Sequence, residues 1–308
     1  MTKIFIDGKE GTTGLRIYER ISGREDLELI LLSDEERKDP AARKKALNSC
    51  DIAFLCLPDA AAGEAVAMVE NPDVTVIDAS TAHRTDSRFV YGLPELSKEQ
   101  FAKIAASKRI AVPGCHAGGF VALVAPLTAA GVISKDTALT CFSLTGYSGG
   151  GKKMIAEYES EGRDTLLDSP RQYGVSQNHK HLPEMAYVTG LTTAPIFCPI
   201  VADFYSGMEV TVPLFAKDVK GGVEAIKEVY KSLYTGPVIS YKENGGEGGL
   251  LASNAFSGKD CMEVTVLGNE DRILLVARFD NLGKGASGAA VECMNIALGK
   301  EPTCGLEV

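Results

Sequence analysis

Strand and helix patterns alternate along the first 115 residues, and this alternation limits the possible folds more than any other feature of the chain. Five short runs rich in Val, Ile, Leu and Phe are separated by segments in which apolar residues recur at helical spacing. The run 52–57 is apolar at every position, which is typical of a parallel strand covered on both faces. Asp39 and Pro40 mark the start of one of the helices, as N-cap and first helical residue. The succession predicts an α/β domain with a doubly wound parallel sheet.

Three glycines, Gly8, Gly11 and Gly14, lie between the first strand and the first helix, with Thr12 and Thr13 between the last two. A tight turn at this place brings a helix N-terminus towards a pyrophosphate, and glycine allows the close approach of the backbone. The alternative is a sharp turn with no ligand. The position after the first strand favours dinucleotide binding, so we expect a Rossmann-like domain.

The end of the second predicted strand should select between the two nicotinamide dinucleotides. An acidic side chain there usually binds the ribose of NAD, whereas a basic neighbourhood accepts the 2′-phosphate of NADP. Ser33 with Arg37 would suit the phosphate, and Asp34 would suit the bare ribose. These residues alone leave the choice open.

Cys115 stands between an apolar strand and a helical run, and it is flanked by Gly114 and His116. Many free cysteines are small buried hydrophobic residues, and this is the structural alternative. A helix N-terminus, however, offers unpaired N–H groups and the positive end of the helix dipole, which favour a thiolate. Cys115 is therefore our candidate nucleophile.

Two further histidines, His179 and His181, are candidates for the proton-transferring partner of that cysteine. If this segment is a strand, the two side chains share a face and line one cleft. The residues from His181 to Glu184 also match the start of a helix, with Pro183 and Glu184 in its first turn. His116 is not expected to be the base, because adjacent side chains diverge on most backbones.

Two cationic segments are candidate anion sites. Arg84 follows the fourth predicted strand at the edge of the sheet where ligands bind, and its planar guanidinium suits a carboxylate or phosphate. A glycine-rich turn containing Ser148 and Gly149 joins a strand to a helix that begins near Lys152. The alternatives are a surface ion pair for Arg84 and a flexible connection with solvated lysines for the turn.

Beyond Cys115 the pattern changes to alternating apolar and polar residues, which indicates half-buried strands. We expect a second, α+β domain with a mixed or antiparallel sheet, followed by a final small-residue helix that returns to the first domain. This divides the chain into a dinucleotide-binding domain, residues 1–115 and 284–308, and a catalytic and dimerisation domain, residues 116–283. The 308 residues, 45% of them hydrophobic, suffice for two cores.

Charge and cysteine usage exclude several classes of protein. The formal net charge of −9 argues against nucleic-acid binding and against an anionic membrane surface. The eight cysteines are scattered, with no C-x-x-C pair and no metal-ligand spacing, so we expect no metal. No signal-peptide pattern and no membrane-spanning run occur in the sequence, and we expect a cytoplasmic protein with reduced thiols.

Taken together, these motifs resemble the N-acetyl-gamma-glutamyl-phosphate reductases, and in particular their shorter branch, within the semialdehyde dehydrogenases. The matching segments follow the order of the family along nearly the whole chain. They are GTTG (11–14), DASTAHR (78–84), YGLPEL (91–96), PGC (113–115), GYSGGGKK (146–153), HKHLPE (179–184) and GKGASGAA (283–290). Two positions depart from the usual pattern, since Val112 stands where many members have Asn, and the residues after Cys115 lack the usual Thr.

The resemblance implies NADPH as cofactor, Cys115 as nucleophile and His179 as acid/base, with His181 the second choice and Glu184 orienting the imidazole. Ser80 and Gly285 fall in motifs that contact the cofactor in the family, and Arg84 matches an arginine used near phosphate. The implied reaction is reduction of N-acetyl-L-glutamyl 5-phosphate to the 5-semialdehyde and phosphate through a thioacyl-enzyme, in arginine biosynthesis. A homodimer or homotetramer is expected.

Three alternatives remain open. The nearest is an enzyme closer to aspartate-semialdehyde dehydrogenase, whose substrate also carries a carboxylate and an acyl phosphate. A non-catalytic NADP sensor would use the glycine turn and would need neither Cys115 nor the paired histidines. A cysteine hydrolase would need no nicotinamide.

Overall fold

The computed structural model describes residues 1–308, and the chain divides into two compact units. The first unit comprises residues 1–94, 98–114 and 286–306, and the second comprises residues 95–97, 115–285 and 307–308. The second unit thus includes four parts of the chain that the sequence prediction placed in the first domain: residues 95–97, Cys115, residues 284–285 and residues 307–308. No helix in the structure is long and apolar enough to cross a membrane.

A six-stranded parallel sheet forms the centre of the first unit, in the order β2-β1-β3-β4-β6-β5. The predicted doubly wound, Rossmann-like α/β architecture is thus confirmed. The two-residue strand β5 was not expected, because such a short run carries no periodicity. The strands are β1 (Thr2–Asp7), β2 (Leu27–Ile30), β3 (Ile52–Leu55), β4 (Thr75–Asp78), β5 (Val90–Tyr91) and β6 (Arg109–Ala111).

Helices cover both faces of this sheet, so its strands are buried on both sides. Alternate residues of β3 show this: Ile52 and Phe54 belong to one core cluster, and Ala53 and Leu55 to the other. The carboxylate of Asp39 accepts hydrogen bonds from the first-turn N–H groups of the second helix, as predicted. The helices are α1 (Thr12–Ile21), α2 (Pro40–Ser49), α3 (Asp59–Met68), α4 (Lys98–Ala106) and α9 (Gly288–Ala297), the last contributing to the core of this unit.

The second unit contains a seven-stranded mixed sheet in the order β11-β12-β13-β10-β7-β9-β8, which confirms the predicted α+β class. Two pairs, β11 with β12 and β7 with β9, are parallel, and the other four are antiparallel. The strands are β7 (Thr140–Gly146), β8 (Arg171–Gln172), β9 (Ile196–Ala202), β10 (Met208–Phe215), β11 (Ile239–Tyr241), β12 (Met262–Gly268) and β13 (Arg272–Phe279). The helices are α5 (Cys115–Ala129), α6 (Gly151–Glu159), α7 (His181–Thr189) and α8 (Gly222–Leu233), and a π-helical turn covers Gly283–Ser287.

Helix α5 is almost entirely buried and packs on the sheet at very short range. A Cβ at Gly119 would lie 2.7 Å from a methyl group of Val210 and 2.8 Å from the ring of Phe279. Glycine is therefore required there for the helix to approach β10 and β13. The helix begins at Cys115, so the packing of α5 fixes the position of that residue.

Candidate active site

Cys115 is the first residue of α5, as the sequence predicted, and its half-buried thiol is not part of a disulfide. At this position the N–H groups of the first turn of α5 have no acceptors within the helix, and the helix dipole favours negative charge. The π-helical turn passes close beside the residue. A Cβ at Gly285 would lie 3.0 Å from Cβ of Cys115 and 3.0 Å from the carbonyl oxygen of Asp280.

His116 is buried, with 3% of its surface exposed, and both of its ring nitrogens meet hydroxyl groups. Nδ1 lies 2.7 Å from Oγ of Ser143, and Nε2 lies 2.6 Å from the phenolic oxygen of Tyr173. Burial, and to a smaller extent the nearby His179, lowers the pKa of His116 to about 3. This imidazole is therefore neutral at physiological pH.

Three imidazoles pack together, and one of them belongs to His116, which follows Cys115 directly in the sequence. The ring centroids of His116 and His179 are 6.0 Å apart, those of His116 and His181 5.6 Å, and those of His179 and His181 4.7 Å. The buried ring of Phe197 closes one side, 5.3 Å from His116 and 5.2 Å from His179. Protonation of more than one ring in so small a volume is unfavourable, because like charges repel and burial disfavours each of them.

His179 lies in the loop before α7, where its own hydrogen bond determines which nitrogen carries the proton. The backbone N–H of His181 donates to Nδ1 of His179 at 3.2 Å. The neutral imidazole therefore carries its hydrogen on Nε2, which is left as a donor. Burial, followed by the charge of Lys180, lowers the pKa of His179 below its ordinary value.

The paired histidines are not in a strand, so the expectation of a shared strand face was wrong. The alternative expectation is confirmed, because α7 begins at His181 and carries Glu184 in its first turn. Glu184 is buried, with 1% exposed, and His181 is buried as well. The proline and the acidic residue of this segment favour helix initiation over strand pairing.

A polar network supports the turn that contains Ser148 and Gly149. Nδ2 of Asn281 donates to Oγ of Ser148 at 3.0 Å, and Oδ1 of Asn281 accepts from the N–H of Gly207 at 2.9 Å. Gly149 lies against the same side chain, since a Cβ there would be 3.4 Å from Nδ2 of Asn281. Lys152 is exposed on the first turn of α6.

The glycine turn of the first unit has the geometry that a dinucleotide requires. Gly8 has φ +86°, and a Cβ there would lie 2.3 Å from the carbonyl oxygen of Cys56. A Cβ at Gly14 would lie 2.5 Å from the carbonyl oxygen of Gly8. Both positions exclude side chains, so the backbone of the turn is bare where α1 begins.

A cavity of about 330 Å³ opens beside this turn and is lined by Gly8, Gly11, Arg37 and Arg43, among other residues. Arg37 forms exposed ion pairs with Asp34, at 3.2 Å, and with Glu10, at 3.8 Å. Arg43 is held by the buried carboxylate of Asp7 at 2.8 Å, and the sequence analysis did not single it out.

Four predicted cofactor residues of the turn and of the segment after β2 do not line this cavity: Thr12, Thr13, Gly14 and Ser33. Ser33 forms a local turn, in which its Oγ accepts from the N–H of Glu36, and Thr12 and Thr13 form the first turn of α1. The residues present thus fit the phosphates and ribose of a dinucleotide.

The segment after β4 is tied to the buried carboxylate of Asp78. Oγ of Ser80 donates to that carboxylate at 2.7 Å, and Nδ1 of His83 lies 2.6 Å from it. Arg84 is buried, and its guanidinium donates to the carbonyl oxygens of Val112 at 2.9 Å and Ala79 at 3.0 Å. These bonds show that Arg84 connects the ends of β4 and β6.

No group of His, Cys, Asp and Glu side chains could hold a metal ion. Sequence reasoning missed Ser143, Tyr173, Phe197 and Asn281, and it set His116 aside. None of the four missed residues lies in a recognisable motif, and all four are on β-strands or loops far in sequence from Cys115. The one available signal was the polar Ser143 at a position where the strand pattern requires an inward side chain.

The fold and the site define a semialdehyde dehydrogenase. The family model of the semialdehyde dehydrogenase NAD-binding domain matches residues 3–104, and that of the semialdehyde dehydrogenase dimerisation domain matches residues 115–281. The fold is similar to that of aspartate semialdehyde dehydrogenase II from Vibrio cholerae, solved with ASA, at a TM-score of 0.71 and 16% identity over 97% of this chain and 98% of that one. Aspartate semialdehyde dehydrogenase from Francisella tularensis gives a TM-score of 0.72 at 14% identity, over 96% of this chain and 99% of that one.

Curated relatives of higher sequence identity show to which family of semialdehyde dehydrogenases the chain belongs. N-acetyl-gamma-glutamyl-phosphate reductase of Trichormus variabilis is 43% identical over 99% of both chains. The reductase of Sinorhizobium medicae is 44% identical over 96% of this chain and 98% of its own, and reductase 2 of Pseudomonas putida is 42% identical over 96% of both. The chain therefore belongs to the N-acetyl-gamma-glutamyl-phosphate reductase family. Its first domain is of the type that binds a nicotinamide dinucleotide.

Proposed function

We propose that the protein reduces N-acetyl-L-glutamyl 5-phosphate to N-acetyl-L-glutamate 5-semialdehyde and phosphate, with NADPH as reductant. The name shared by relatives at 42–44% identity supports the substrate. The observation that carries the chemistry is the half-buried thiol of Cys115 at the start of α5, followed directly by His116, whose imidazole packs with those of His179 and His181. A sensor would need no such group, and a hydrolase would need no dinucleotide fold.

Cys115 is the proposed nucleophile. Its thiolate attacks the acyl carbon of the substrate, a C–S bond forms, and the C–O bond to phosphate breaks, which leaves a thioacyl-enzyme and free phosphate. First-turn N–H groups of α5 stabilise the oxyanion that develops on the acyl oxygen. Cysteine suits both halves of the reaction, since a thiolate is a strong nucleophile and a fair leaving group.

His179 is the proposed acid/base residue, with His181 as the second choice, and in its neutral form it acts as a hydrogen-bond donor. The hydrogen on Nε2 of His179 is available because Nδ1 already accepts from the backbone. When the thioester carbon is reduced, its oxygen becomes negative, and donation from Nε2 stabilises that charge. The tetrahedral species then loses the Cys115 thiolate and releases the aldehyde. Glu184, buried in the first turn of α7, would orient this part of the site.

The nicotinamide cofactor, when bound, supplies the hydride for this reduction. Gly8, Gly11, Thr12, Thr13 and Gly14 would hold its phosphates through backbone N–H groups and the N-terminus of α1. Ser80 and Gly285 are proposed further contacts on the cofactor side.

NADPH is preferred over NADH because two guanidinium groups, Arg37 and Arg43, line the cavity beside the glycine turn. Asp34 does not line it and is engaged with Arg37. A 2′-phosphate would replace exposed carboxylates as the partner of Arg37, with Ser33 nearby in sequence.

Arg84, Ser148, Gly149 and Lys152 are proposed to bind the phosphate and carboxylate groups of the substrate. Ser148 and Gly149 are the best supported of the four, since the Asn281 side chain holds their turn in place.

A homodimer is proposed from the outer face of the second sheet. Side chains on β-strands alternate between faces, and the buried neighbours of Phe142, Ile196, Phe215 and Leu274 all point to the α5 side. These four apolar side chains are 36–61% exposed on the other side. An apolar sheet face of this kind fits a second copy of the chain.

The decisive experiment is phosphate-dependent reduction of NADP by purified protein, followed at the NADPH absorbance band, with N-acetylglutamate 5-semialdehyde and aspartate semialdehyde in turn. Turnover of the first and little of the second supports the proposal, and the reverse result makes the chain an aspartate-type enzyme. Cys115→Ser should abolish turnover and keep NADPH binding. Full activity of that variant would contradict the thioacyl mechanism.

A further inference from the structure

We propose that His116 is a positioning residue, which through a Ser143–His116–Tyr173 hydrogen-bond chain directs the hydroxyl proton of Tyr173 towards the Cys115 sulfur. The proposal deepens the assignment of Cys115 as nucleophile and rests on it. No motif in the sequence points to Ser143 or Tyr173, and His116 has the wrong backbone position to act as base itself.

The chain of hydrogen bonds has one arrangement that satisfies every buried donor. Ser143 is completely buried on β7, and Nδ1 of His116 is its hydrogen-bond partner at 2.7 Å. If Nδ1 carried the imidazole hydrogen, the hydroxyl proton of Ser143 would be buried without an acceptor, which is costly. The Ser143 hydroxyl therefore donates to Nδ1, and the single hydrogen of the neutral imidazole is on Nε2.

This tautomer determines what Tyr173 can do. Nε2–H of His116 donates to the phenolic oxygen of Tyr173 at 2.6 Å. The hydroxyl hydrogen of Tyr173 therefore forms no bond to Ser143 or His116. Tyr173 is half-buried, and its oxygen is bound by the ring of His116, the residue that follows Cys115 in the first turn of α5. Burial, followed by the negative charge of a Cys115 thiolate, raises the pKa of Tyr173. The phenol keeps its proton and can donate it as a hydrogen bond to the thiolate.

The backbone holds both ends of this chain in place. Ser143 pairs with Pro199 of β9 and with Val210 of β10, and the N–H of Tyr173 donates to the carbonyl oxygen of Pro199 at 3.0 Å. His116 follows Cys115 directly on α5. Sheet and helix thus fix the phenol relative to the nucleophile through a neutral imidazole, which adds no charge beside His179 and His181.

The tautomer can be read directly by nitrogen NMR. The chain contains four histidines, so a protein labelled with ¹⁵N-histidine gives few enough signals to assign with His116→Gln. At pH 7 we expect His116 to show a protonated Nε2 and a bare Nδ1. A protonated Nδ1 would overturn the proposal.

The effect on the thiol is tested by iodoacetamide alkylation of Cys115 as a function of pH, which needs neither substrate nor cofactor. Removal of one hydrogen bond to a thiolate should shift the alkylation profile by about one pH unit upwards, so that the rate at pH values below the pKa of the thiol falls about tenfold. We expect this shift in Tyr173→Phe and in His116→Asn, whose amide reaches Ser143 but not Tyr173. His116→Gln places an amide near the position of Nε2 and should recover most of the wild-type rate.

Tyr187→Phe, which removes an exposed hydroxyl on α7, is the matched control. Equal profiles for His116→Asn and His116→Gln, or an unshifted Tyr173→Phe, would refute the chain. The double variant Tyr173→Phe with His116→Asn should be no slower than either single variant, and an additive loss would also refute it. If the wild-type protein failed to reduce NADP with either semialdehyde while these shifts were observed, the proposed function alone would fail.

Discussion

The hydroxyl of Tyr234 donates to the carbonyl oxygen of Ala122 at 2.5 Å, and Ala122 is the residue whose helical partner would be Pro126. Proline has no N–H, so the carbonyl oxygen four residues earlier receives no hydrogen bond from within the helix. Tyr230 donates to the adjacent carbonyl, that of Leu123. Tyr234, at the end of α8, therefore compensates for the proline in the helix that carries Cys115, and Tyr230 adds a bond to the next carbonyl.

Tyr234→Phe should lower the free energy of unfolding by about 1–3 kcal/mol, because it leaves the buried carbonyl of Ala122 unsatisfied. Urea unfolding followed by circular dichroism measures the change, with the exposed Tyr187→Phe as control. Pro126→Ala restores an N–H donor, so the loss caused by Tyr234→Phe should be smaller in that background. Equal losses in both backgrounds would contradict this role of Tyr234.

The acid side of the stability profile should depend on His116. Its pKa in the folded protein, about 3, lies below the ordinary value near 6.5, so between these values the unfolded chain binds a proton that the folded protein does not. The free energy of unfolding should then fall as the pH is lowered from 6.5, by about 1.4 kcal/mol per pH unit from this group.

His116→Gln removes this titration and should flatten the pH dependence of unfolding between pH 6.5 and about 5, where carboxylates are still ionised. His179, whose pKa is also lowered, contributes in both proteins and leaves a residual slope. Urea titrations at several pH values measure how the free energy of unfolding depends on pH in each protein. An unchanged slope in the variant would mean that His116 is protonated in the folded state.

Cofactor choice should depend on Arg37. Arg37→Gln is expected to raise the Kd for NADPH about 10- to 100-fold, which corresponds to the loss of a charge-assisted hydrogen bond, and to leave the Kd for NADH nearly unchanged. Fluorescence titration with each nucleotide measures both constants. Arg37 is a better choice than Arg43, since removing Arg43 would leave the buried carboxylate of Asp7 without its partner. An equal loss for both nucleotides would place the guanidinium on a shared part of the cofactor.

Periodicity and turn residues predicted the elements that form by local rules. The alternation of strands and helices, the cap at Asp39 and the helix start at Cys115 all follow from neighbouring residues, and the structure has them. The strand-to-helix ambiguity at His181 arose because spacing alone fits both, and proline with an acidic first turn decided it.

The rest of the site depends on contacts between distant parts of the chain. Tyr173 is 57 residues from His116, and Ser143 is 27 residues away, so no local pattern links them. His116 was set aside on the argument that adjacent side chains diverge. The His116 side chain is buried in the core, where it meets the hydroxyl groups of Ser143 and Tyr173.

Gly285→Ala should reduce kcat about 10- to 100-fold, because a Cβ there would lie 3.0 Å from Cβ of Cys115 and from the carbonyl oxygen of Asp280. The carbonyl oxygen of Asp280 belongs to the backbone and is not easily displaced. We therefore expect the new methyl group to displace the Cys115 side chain. Gly63→Ala in α3, where the new methyl group meets nothing within 4 Å, is the control. Steady-state kinetics and alkylation of Cys115 measure the effect. Unchanged kinetics would show that the π-helical turn moves freely relative to the cysteine.

Phe142→Glu should convert the proposed dimer to a monomer. Phe142 lies in the centre of the sheet, between Thr211 of β10 and Cys198 of β9, and its side chain is 42% exposed on the apolar outer face. A carboxylate buried there in two copies without a cationic partner would cost more than an interface of this kind gains. Sedimentation velocity at micromolar concentration measures the mass, and Leu15→Glu, at an equally exposed leucine on α1, is the control. A Phe142→Glu protein that sediments like the wild type would show that this face is not the contact between copies.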